Sequence, residues 1–157
     1  MDARLQFGEH RPGLDYRDRP SAYGVAVRDG RIALVFVTLT DREPFFDLPG
    51  GGVDPGEGEA DAVVREFGEE TGLVVRVGRL ITRADQVFLS AHDEPFNSRG
   101  AVFEVEIIGE APELKVEHDH QTVWLDPRAA VIALRHDSHA WAVTAWLREG
   151  SMGDGAR

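Results

Sequence analysis

Residues 49–73 read PGGGVDPGEGEADAVVREFGEETGL, and this stretch decides the fold of the chain. The glycines of residues 49–52 follow a proline, so we expect irregular backbone there. From about Glu59 to Thr71 the sequence takes on a helical period, with Ala60, Val63, Val64 and Phe67 on one side. Gly72 follows where a left-handed C-terminal cap belongs. The stretch therefore predicts a Gly-rich loop that leads directly into a helix.

Three glutamates share one face of this predicted helix. Glu66, Glu69 and Glu70 stand at positions i, i+3 and i+4, where side chains are neighbours. Like charges at this spacing cost about 0.2–0.5 kcal/mol per pair, and a bound cation would reverse the sign of that energy. Magnesium prefers hard oxygen ligands and keeps waters that a phosphate can displace. The glutamates alone leave two interpretations open, a cation site and a solvated acidic face.

Arg65 and the glycines favour the cation site. Arg65 is next to Glu69 on the helical wheel, and its planar guanidinium can orient a carboxylate. Glycine lets backbone approach a metal or a phosphate closely, so a carbonyl of Gly50 or Gly51 is a candidate oxygen ligand. A surface helix with a merely solvated acidic face needs no such loop.

The same residues carry a resemblance to a known family. The chain meets every fixed position of the pattern G-x5-E-x7-R-E-U-x-E-E-x-G-U, in which U is a bulky apolar residue. The matching residues are Gly51, Glu57, Arg65, Glu66, Phe67, Glu69, Glu70, Gly72 and Leu73. In this pattern the chain resembles the Nudix hydrolase family. The resemblance implies an α/β fold, an α/β/α sandwich around a mixed β-sheet.

The other elements agree with this fold class. Asp29-Gly30 between two β-rich runs, residues 23–27 and 32–38, predicts a hairpin. The remaining runs read as strands and then helices, after an extended lead-in at residues 1–20 and around a loop at 91–98. The further strands are predicted at residues 73–82, 86–90, 101–108 and 122–125, and the further helices from Pro127 and at 138–148, ending before Gly150. The length of 157 residues favours one domain, residues 1–150, and we expect the tail at 151–157 to be disordered.

The resemblance implies hydrolysis of a diphosphate bond by water, assisted by Mg²⁺ or Mn²⁺. By position, Glu66, Glu69, Glu70 and the Gly50 carbonyl would be metal ligands, and Arg65 would orient the glutamates. Glu69 or Glu66 is the candidate general base within the helix.

Three further acids are secondary candidates. Glu57 would support the loop or bind metal through water. In this family the base sometimes comes from a later loop, and here that loop contains Glu117 and Asp119. We interpret His118 and His120, in the same loop, as solvated polar residues.

The resemblance names a substrate class, a nucleoside diphosphate linked to another group, and leaves the group open. Candidates for stacking on a base are Phe46, Phe88, Phe96 and Trp124, and candidates for holding the second phosphate are Arg17, Arg28, Arg83 and Arg99. A non-catalytic Nudix-fold domain that only senses a nucleotide is the alternative, although such a domain would tolerate losses in the signature.

Composition excludes several other classes. The net charge of -11 argues against stable nucleic-acid binding, which needs a basic face. The chain has no cysteine, which excludes thiolate catalysis and counts against an isomerase on the same fold that would use one. No run approaches the ~18 apolar residues of a membrane span, so we expect no membrane partner and a cytoplasmic location by default. A homodimer is an open alternative, since dimers are frequent in families like this one.

Overall fold

The computed structural model describes residues 4–154, and side chains as far as residue 150. Within that range the chain forms eight strands, three α-helices and one short 3₁₀-helix, Pro112–Leu114. The strands are β1 Leu5–Phe7, β2 Arg17–Arg28, β3 Arg31–Val37, β4 Phe45–Asp47, β5 Gly50–Gly52, β6 Leu73–Leu89, β7 Pro95–Glu110 and β8 His120–Leu125. The helices are α1 Glu59–Thr71, α2 Pro127–Ala133 and α3 Asp137–Asp154. No helix among the described residues is both long and apolar enough to cross a membrane.

The sheet is mixed, as the sequence predicts. Its strand order is β1-β6-β7-β2-β3-β4, with β5 added to β2 and β8 added to β3. The pairs β1–β6 and β2–β7 are parallel and the others are antiparallel. Between β2 and β3, Asp29 and Gly30 both have positive φ, 52° and 75°, which suits the predicted tight hairpin turn.

Two apolar cores lie on opposite faces of this sheet and make the predicted α/β/α sandwich. One core joins α1 to the sheet through Ala62, Val63 and Phe67. The other joins α2 and α3 to the opposite face, through residues such as Ala130 and Val143. Because α1 packs on the sheet and Glu70 belongs to its buried face, this carboxylate lies between the helix and the strands.

Helix α1 has the bounds that the sequence predicts, and Gly72 closes it with φ 72° and an N–H that donates to the Gly68 carbonyl. Its buried face differs from the prediction. Ala60 and Val64 are exposed, and the buried residues are instead Ala62, Val63, Phe67, Gly68 and Glu70. Compared with the predicted orientation, α1 is therefore turned about its axis so that Glu70, and not Val64, faces the sheet.

The predicted irregular backbone of residues 49–52 is wrong for its last three residues. Gly50–Gly52 form β5, which pairs with Ser21, Ala22 and Tyr23 of β2. The approach is so close that a Cβ on Gly50 would lie 2.2 Å from the Ala22 carbonyl oxygen, and Gly50 has φ 143°. Only glycine fits this position, and a glycine run is therefore compatible with a short strand here.

Long sheet pairings also change the predicted bounds elsewhere. The strands predicted at 73–82 and 86–90 form one strand, β6, which keeps its pairing with β7 across register shifts near Val77 and Leu80. The predicted lead-in contributes β1 and the start of β2, and the loop predicted at 91–98 ends where β7 begins at Pro95. Helix α3 runs past Gly150, because one glycine costs only about 1 kcal/mol in a helix. The predicted disordered tail overlaps α3 at 151–154, and its last three residues lie outside the described part of the chain.

Candidate active site

Arg65 joins the Gly-rich segment to the carboxylates of α1. Its guanidinium donates two hydrogen bonds to Glu57, each 2.9 Å, and one to the Gly52 carbonyl at 3.0 Å. It also donates to Glu66 Oε1 at 3.0 Å and to Glu69 Oε2 at 3.2 Å. One residue therefore fixes the positions of three acids, as the predicted orienting role requires.

Arg65 sets the charge state of its closest partner. The hydrogen bonds from Arg65 and from the Asp54 N–H lower the pKa of Glu57 to about 2, and Glu57 in turn raises the pKa of Arg65. Glu57 is therefore ionised, and both of its carboxylate oxygens accept hydrogen bonds from the protein. This arrangement agrees with a supporting role for Glu57 rather than direct metal ligation.

Glu66 differs from Glu57 in its surroundings. Burial raises its pKa, against the lowering effect of Arg65. Its carboxylate lies against the backbone of β5, where a Cβ on Gly51 would come within 2.8 Å of Glu66 Oε1. Arg65 occupies one oxygen of Glu66 and one of Glu69, and among the described residues nothing donates to the second oxygen of either. Each of these carboxylates therefore has an oxygen available to a ligand.

Glu70 is almost fully buried, with 4% of its surface exposed. Its Oε1 accepts a hydrogen bond from the Gly50 N–H at 2.7 Å, and its Oε2 lies 3.0 Å from His120 Nε2. Burial raises the pKa of Glu70 to about 7. Burial would lower the pKa of His120, but its hydrogen bonds to Glu70 and Asp119 outweigh that effect and raise it to about 9. The pKa of His120 therefore lies above that of Glu70, so a single proton shared by the two residues lies on His120.

The interpretation of His120 as a solvated loop residue is wrong. His120 is the first residue of β8, pairs with Val37 of β3, and lies half-buried between Glu70 and Asp119, 2.7 Å from Asp119 Oδ1. In the sequence it is one of two histidines among acids, and only the strand pairing separates it from His118.

The later loop lies beside α1, as its secondary candidates require. The backbone N–H groups of Val116 and Glu117 both donate to the Glu69 carbonyl at 3.0 Å. Ligand atoms of Glu117, Asp119 and His120 lie within 4.8 Å of one another. Both ring nitrogens of His120 already contact carboxylates, so Glu117 and Asp119 are the members of this group that suit a cation. Loop and helix together present an oxygen-rich donor set that suits a hard divalent cation.

Most of the cations that the sequence offers for phosphate binding are occupied elsewhere. Arg83 is paired with Glu59, Arg28 with Glu110, and Arg99 with two aspartates. Arg17 stacks on the Phe96 ring at 4.9 Å.

Arg19 is not among the arginines that the sequence offers for phosphate binding. A Cβ on Gly52 would lie 2.6 Å from Arg19 Nη2, so this guanidinium covers the backbone of β5. Within residues 4–154 it has no carboxylate partner at ion-pair distance, and like Arg17 it lies over the Phe96 ring, here 5.6 Å from the centroid. No sequence pattern marks it, because it stands in the segment read as a lead-in.

Two adjoining cavities open beside the carboxylates. The smaller, about 260 Å³, is lined by Gly50, Gly51, Glu70 and His120 at one end. The larger, about 880 Å³, has aromatic and arginine side chains on its wall. Both are lined by Arg19, Leu39, Phe45, Phe88, Ala91 and Arg135. The cavities therefore form one cleft that runs from the glutamates to an aromatic chamber.

Comparison with known proteins identifies the family. A family model described as NUDIX domain matches residues 18–147. This chain belongs to the NUDIX family. The family predicted from residues 51–73 is thereby confirmed, and the match extends from β2 into α3.

Curated NUDIX relatives match only short stretches. The ADP-ribose pyrophosphatase of Methanocaldococcus jannaschii is 41% identical over 58 residues, 37% of this chain and 34% of that protein. A putative 8-oxo-dGTP diphosphatase of Bacillus subtilis is 66% identical over 29 residues, 18% of this chain and 20% of that protein. The chain thus spans about a third and a fifth of the length of these two relatives.

Solved structures match over most of the chain and support the fold. A NUDIX hydrolase from Nitrosomonas europaea has a TM-score of 0.71 at 18% identity, over 85% of this chain and 90% of that one. A MutT protein from Methanosarcina mazei has a TM-score of 0.68 at 21% identity, over 88% and 99%. A MutT NUDIX hydrolase from Burkholderia pseudomallei has a TM-score of 0.59 at 28% identity, over 82% and 98%.

Proposed function

We propose that this NUDIX protein hydrolyses the diphosphate bond of a nucleoside diphosphate linked to another group, with Mg²⁺ or Mn²⁺ as cofactor. The observation that carries the proposal is the convergence of Glu66 and Glu70 on the backbone of β5 while Arg65 holds Glu66 and Glu69. The names of the two curated relatives, a pyrophosphatase and a diphosphatase, agree with this reaction.

The donor set fits the proposed ion. Glu66, Glu69 and Glu70, with the Gly50 carbonyl, would hold it, since all of them offer oxygen ligands. When bound, the ion offsets phosphate charge and lowers the pKa of a water molecule. Glu70 would have to exchange its His120 contact for the ion, because both of its oxygens accept hydrogen bonds within the protein.

We assign the general base to Glu66 or Glu69. A base needs an oxygen that neither a hydrogen bond nor the ion occupies. Glu66 and Glu69 each have one oxygen away from Arg65, and the residue that keeps this oxygen off the ion would be the base. Burial raises the pKa of Glu66, which makes it a stronger proton acceptor than an exposed carboxylate. Glu117 and Asp119 are the alternatives from the later loop.

Arg19 would hold the phosphate that is not attacked. It is a guanidinium without an ion-pair partner among the described residues, and it lies over Gly52, between the glutamates and the aromatic chamber. A planar guanidinium can bind phosphate oxygens in pairs.

The deciding experiment incubates the pure protein with Mg²⁺ and a panel of nucleoside triphosphates, dinucleoside polyphosphates, ADP-ribose and nucleotide sugars. We expect hydrolysis of at least one of them, and Glu70→Gln should lower its turnover by about 100-fold or more, because the buried anion is lost while the shape is kept. Glu106→Gln, which removes an exposed carboxylate on β7, is the matched control. Absence of product from the whole panel, or equal turnover of Glu70→Gln and the control, would contradict the proposal.

Two predictions about the whole protein stay predictions, the cytoplasmic location and the homodimer. Fluorescence microscopy of the tagged chain tests the first, and sedimentation velocity tests the second.

A further inference from the structure

His136 is a buried polar residue at the wall of the cleft. Only 9% of its surface is exposed, and its side chain lines the cavity that also contains Gly50 and Glu70. Its ring contacts the rings of Phe88 and His139 edge to face, at 5.3 Å each. Neither ring nitrogen of His136 has a hydrogen-bond partner within the described residues.

The position of this ring is fixed by the backbone around it. The Arg135 N–H donates to the Phe46 carbonyl at 2.9 Å, and Leu134 forms a bridge with Phe46. The Arg135 guanidinium holds Asp47 through two hydrogen bonds, of 3.2 and 2.7 Å. On the other side, the Ala140 N–H donates to the His136 carbonyl at the start of α3. His136 is therefore held between β4 and α3.

A buried imidazole without a partner points to a ligand. A neutral imidazole has one donor and one acceptor, and on His136, which lines the cleft, neither is used within the described residues, so both are available to a ligand. The neighbouring His139 differs, because its Nδ1 accepts a hydrogen bond from the Leu48 N–H at 3.2 Å. The two histidines lie side by side, and only His136 lacks a partner inside the protein.

The ligand group that suits His136 is polar and uncharged. Burial lowers the pKa of His136 to about 3, so the ring is neutral at neutral pH. A phosphate would favour a protonated ring, and Arg19 already supplies a cation nearer to β5. A group with both an acceptor and a donor, as on the edge of a nucleobase, satisfies a neutral imidazole better.

The walls next to His136 offer the surface that a base needs. Phe45 and Phe88 line both cavities, and Phe96 lies beside Phe88 at 6.1 Å in the larger one. Flat apolar rings of this kind stack with aromatic bases. Arg135 already lies over the Phe45 ring, 3.5 Å from its centroid, and Arg17 over the nearly buried Phe96, so Phe88 is the ring that best suits stacking. The cleft thus presents acids at one end and, beside them, Arg19, aromatic rings and the imidazole of His136.

We infer that the part of the cleft where Phe45, Phe88 and His136 meet binds the base of the nucleotide and that His136, by a hydrogen bond to the polar edge of that base, determines which base is preferred. The inference rests on the proposed function for the identity of the substrate class. It assigns the end of the cleft at Gly51 and Glu70 to the diphosphate and the part lined by Phe45, Phe88 and His136 to the base.

The test measures binding without metal, so that it does not depend on hydrolysis. Isothermal titration would give the Kd of wild-type protein for the four common nucleoside 5′-monophosphates and for ribose 5-phosphate, which has no base. We expect at least one nucleotide to bind about 10-fold or more tightly than ribose 5-phosphate. His136→Phe should lose about 10-fold of that affinity and leave ribose 5-phosphate binding unchanged, because it keeps the ring and removes the polar atoms.

Two controls keep the test decisive. His10→Phe changes an exposed histidine outside the cleft and should bind like wild type. In wild-type protein, the ring ¹⁵N signal that is missing from His136→Phe should shift when the preferred nucleotide is added, whatever the stability of the variant.

The outcomes separate this inference from the proposed function. Equal affinity for nucleotide and ribose 5-phosphate, or a His136 signal that does not shift, would overturn the inference even if the protein hydrolyses the panel. Base-dependent binding with a shifted His136 signal would support it even if no hydrolysis were found.

Discussion

Replacing Arg65 with methionine should destabilise the protein most strongly when no metal is bound. The change keeps an apolar stem and removes five hydrogen bonds, to Glu57, Glu66, Glu69 and the Gly52 carbonyl. Hydrogen bonds to charged groups contribute about 1.5–3 kcal/mol each when buried. Arg65 is 28% exposed and water can reach the released carboxylates, so we expect a total loss of about 2–4 kcal/mol in the free energy of unfolding.

The assay is thermal and urea denaturation in EDTA and again in excess Mg²⁺. For a chain of this length, a loss of 2–4 kcal/mol lowers Tm by about 5–15 °C. Added Mg²⁺ should stabilise Arg65→Met more than wild type, because the ion replaces the missing positive charge beside Glu66 and Glu69.

The matched control is Arg76→Met. Arg76 also pairs with a glutamate, Glu106, at 2.6 Å, but both side chains are about two-thirds exposed. Exposed pairs contribute about 0–1 kcal/mol, so this variant should unfold close to wild type and gain nothing extra from Mg²⁺. If the two variants lose the same stability in EDTA, Arg65 does not hold the acids together and the reasoning fails.

Three further changes test other parts of the site. Gly51→Ala would place a Cβ 2.8 Å from Glu66 Oε1 and should weaken Mg²⁺ affinity in calorimetry by about 10-fold or more; unchanged affinity would remove Glu66 from the ligand set. Gly68→Ala would place a Cβ 3.3 Å from Leu114 Cδ1, and the Leu114 side chain is half-exposed and can move. The gain of about 1 kcal/mol in helix propensity should roughly cancel the crowding, so the free energy of unfolding from urea denaturation should stay within about 1 kcal/mol of wild type. A larger loss would mean that Leu114 cannot move. Burial lowers the pKa of His136 to about 3, so between about pH 6.5 and pH 3 the unfolded chain binds a proton that the folded chain does not, and the free energy of unfolding decreases as the pH falls. In His136→Phe the slope of the free energy of unfolding against pH should be smaller by about 1.4 kcal/mol per pH unit near pH 5. An unchanged slope would show that His136 is not buried.

The sequence predicts best what depends on near neighbours in the chain. Helix α1, its left-handed cap at Gly72 and the link from Arg65 to Glu69 all lie within a few turns of one helix. Their geometry follows from helical spacing alone. The structure also explains Gly68, a poor helix former whose missing side chain leaves room for Leu114 of the 3₁₀-helix.

The features that the sequence did not predict depend on distant pairings. Arg19 reaches the site because β2 pairs with both β5 and β7. His120 and Glu70 are fifty residues apart in the sequence, and they meet only because β8 pairs with β3. His136 faces the cleft because its segment is bonded to β4, about 90 residues earlier. Each contact follows from the sheet order, which no local pattern specifies.

The parallel pairing of β2 with β7 has a consequence for the order of folding. Arg17 of β2 pairs with Phe96, and nearly eighty residues separate the two partners. A contact with this sequence separation forms late, because a long loop must be closed before the pairing stabilises it. During synthesis, β2 leaves the ribosome well before β7 has been made, so until then the edge of β2 that pairs with β7 has no partner strand. Helix α1 can form early from local contacts. The part of the cleft at Phe88 and His136 can form only after β7 and the segment before α3 have been made.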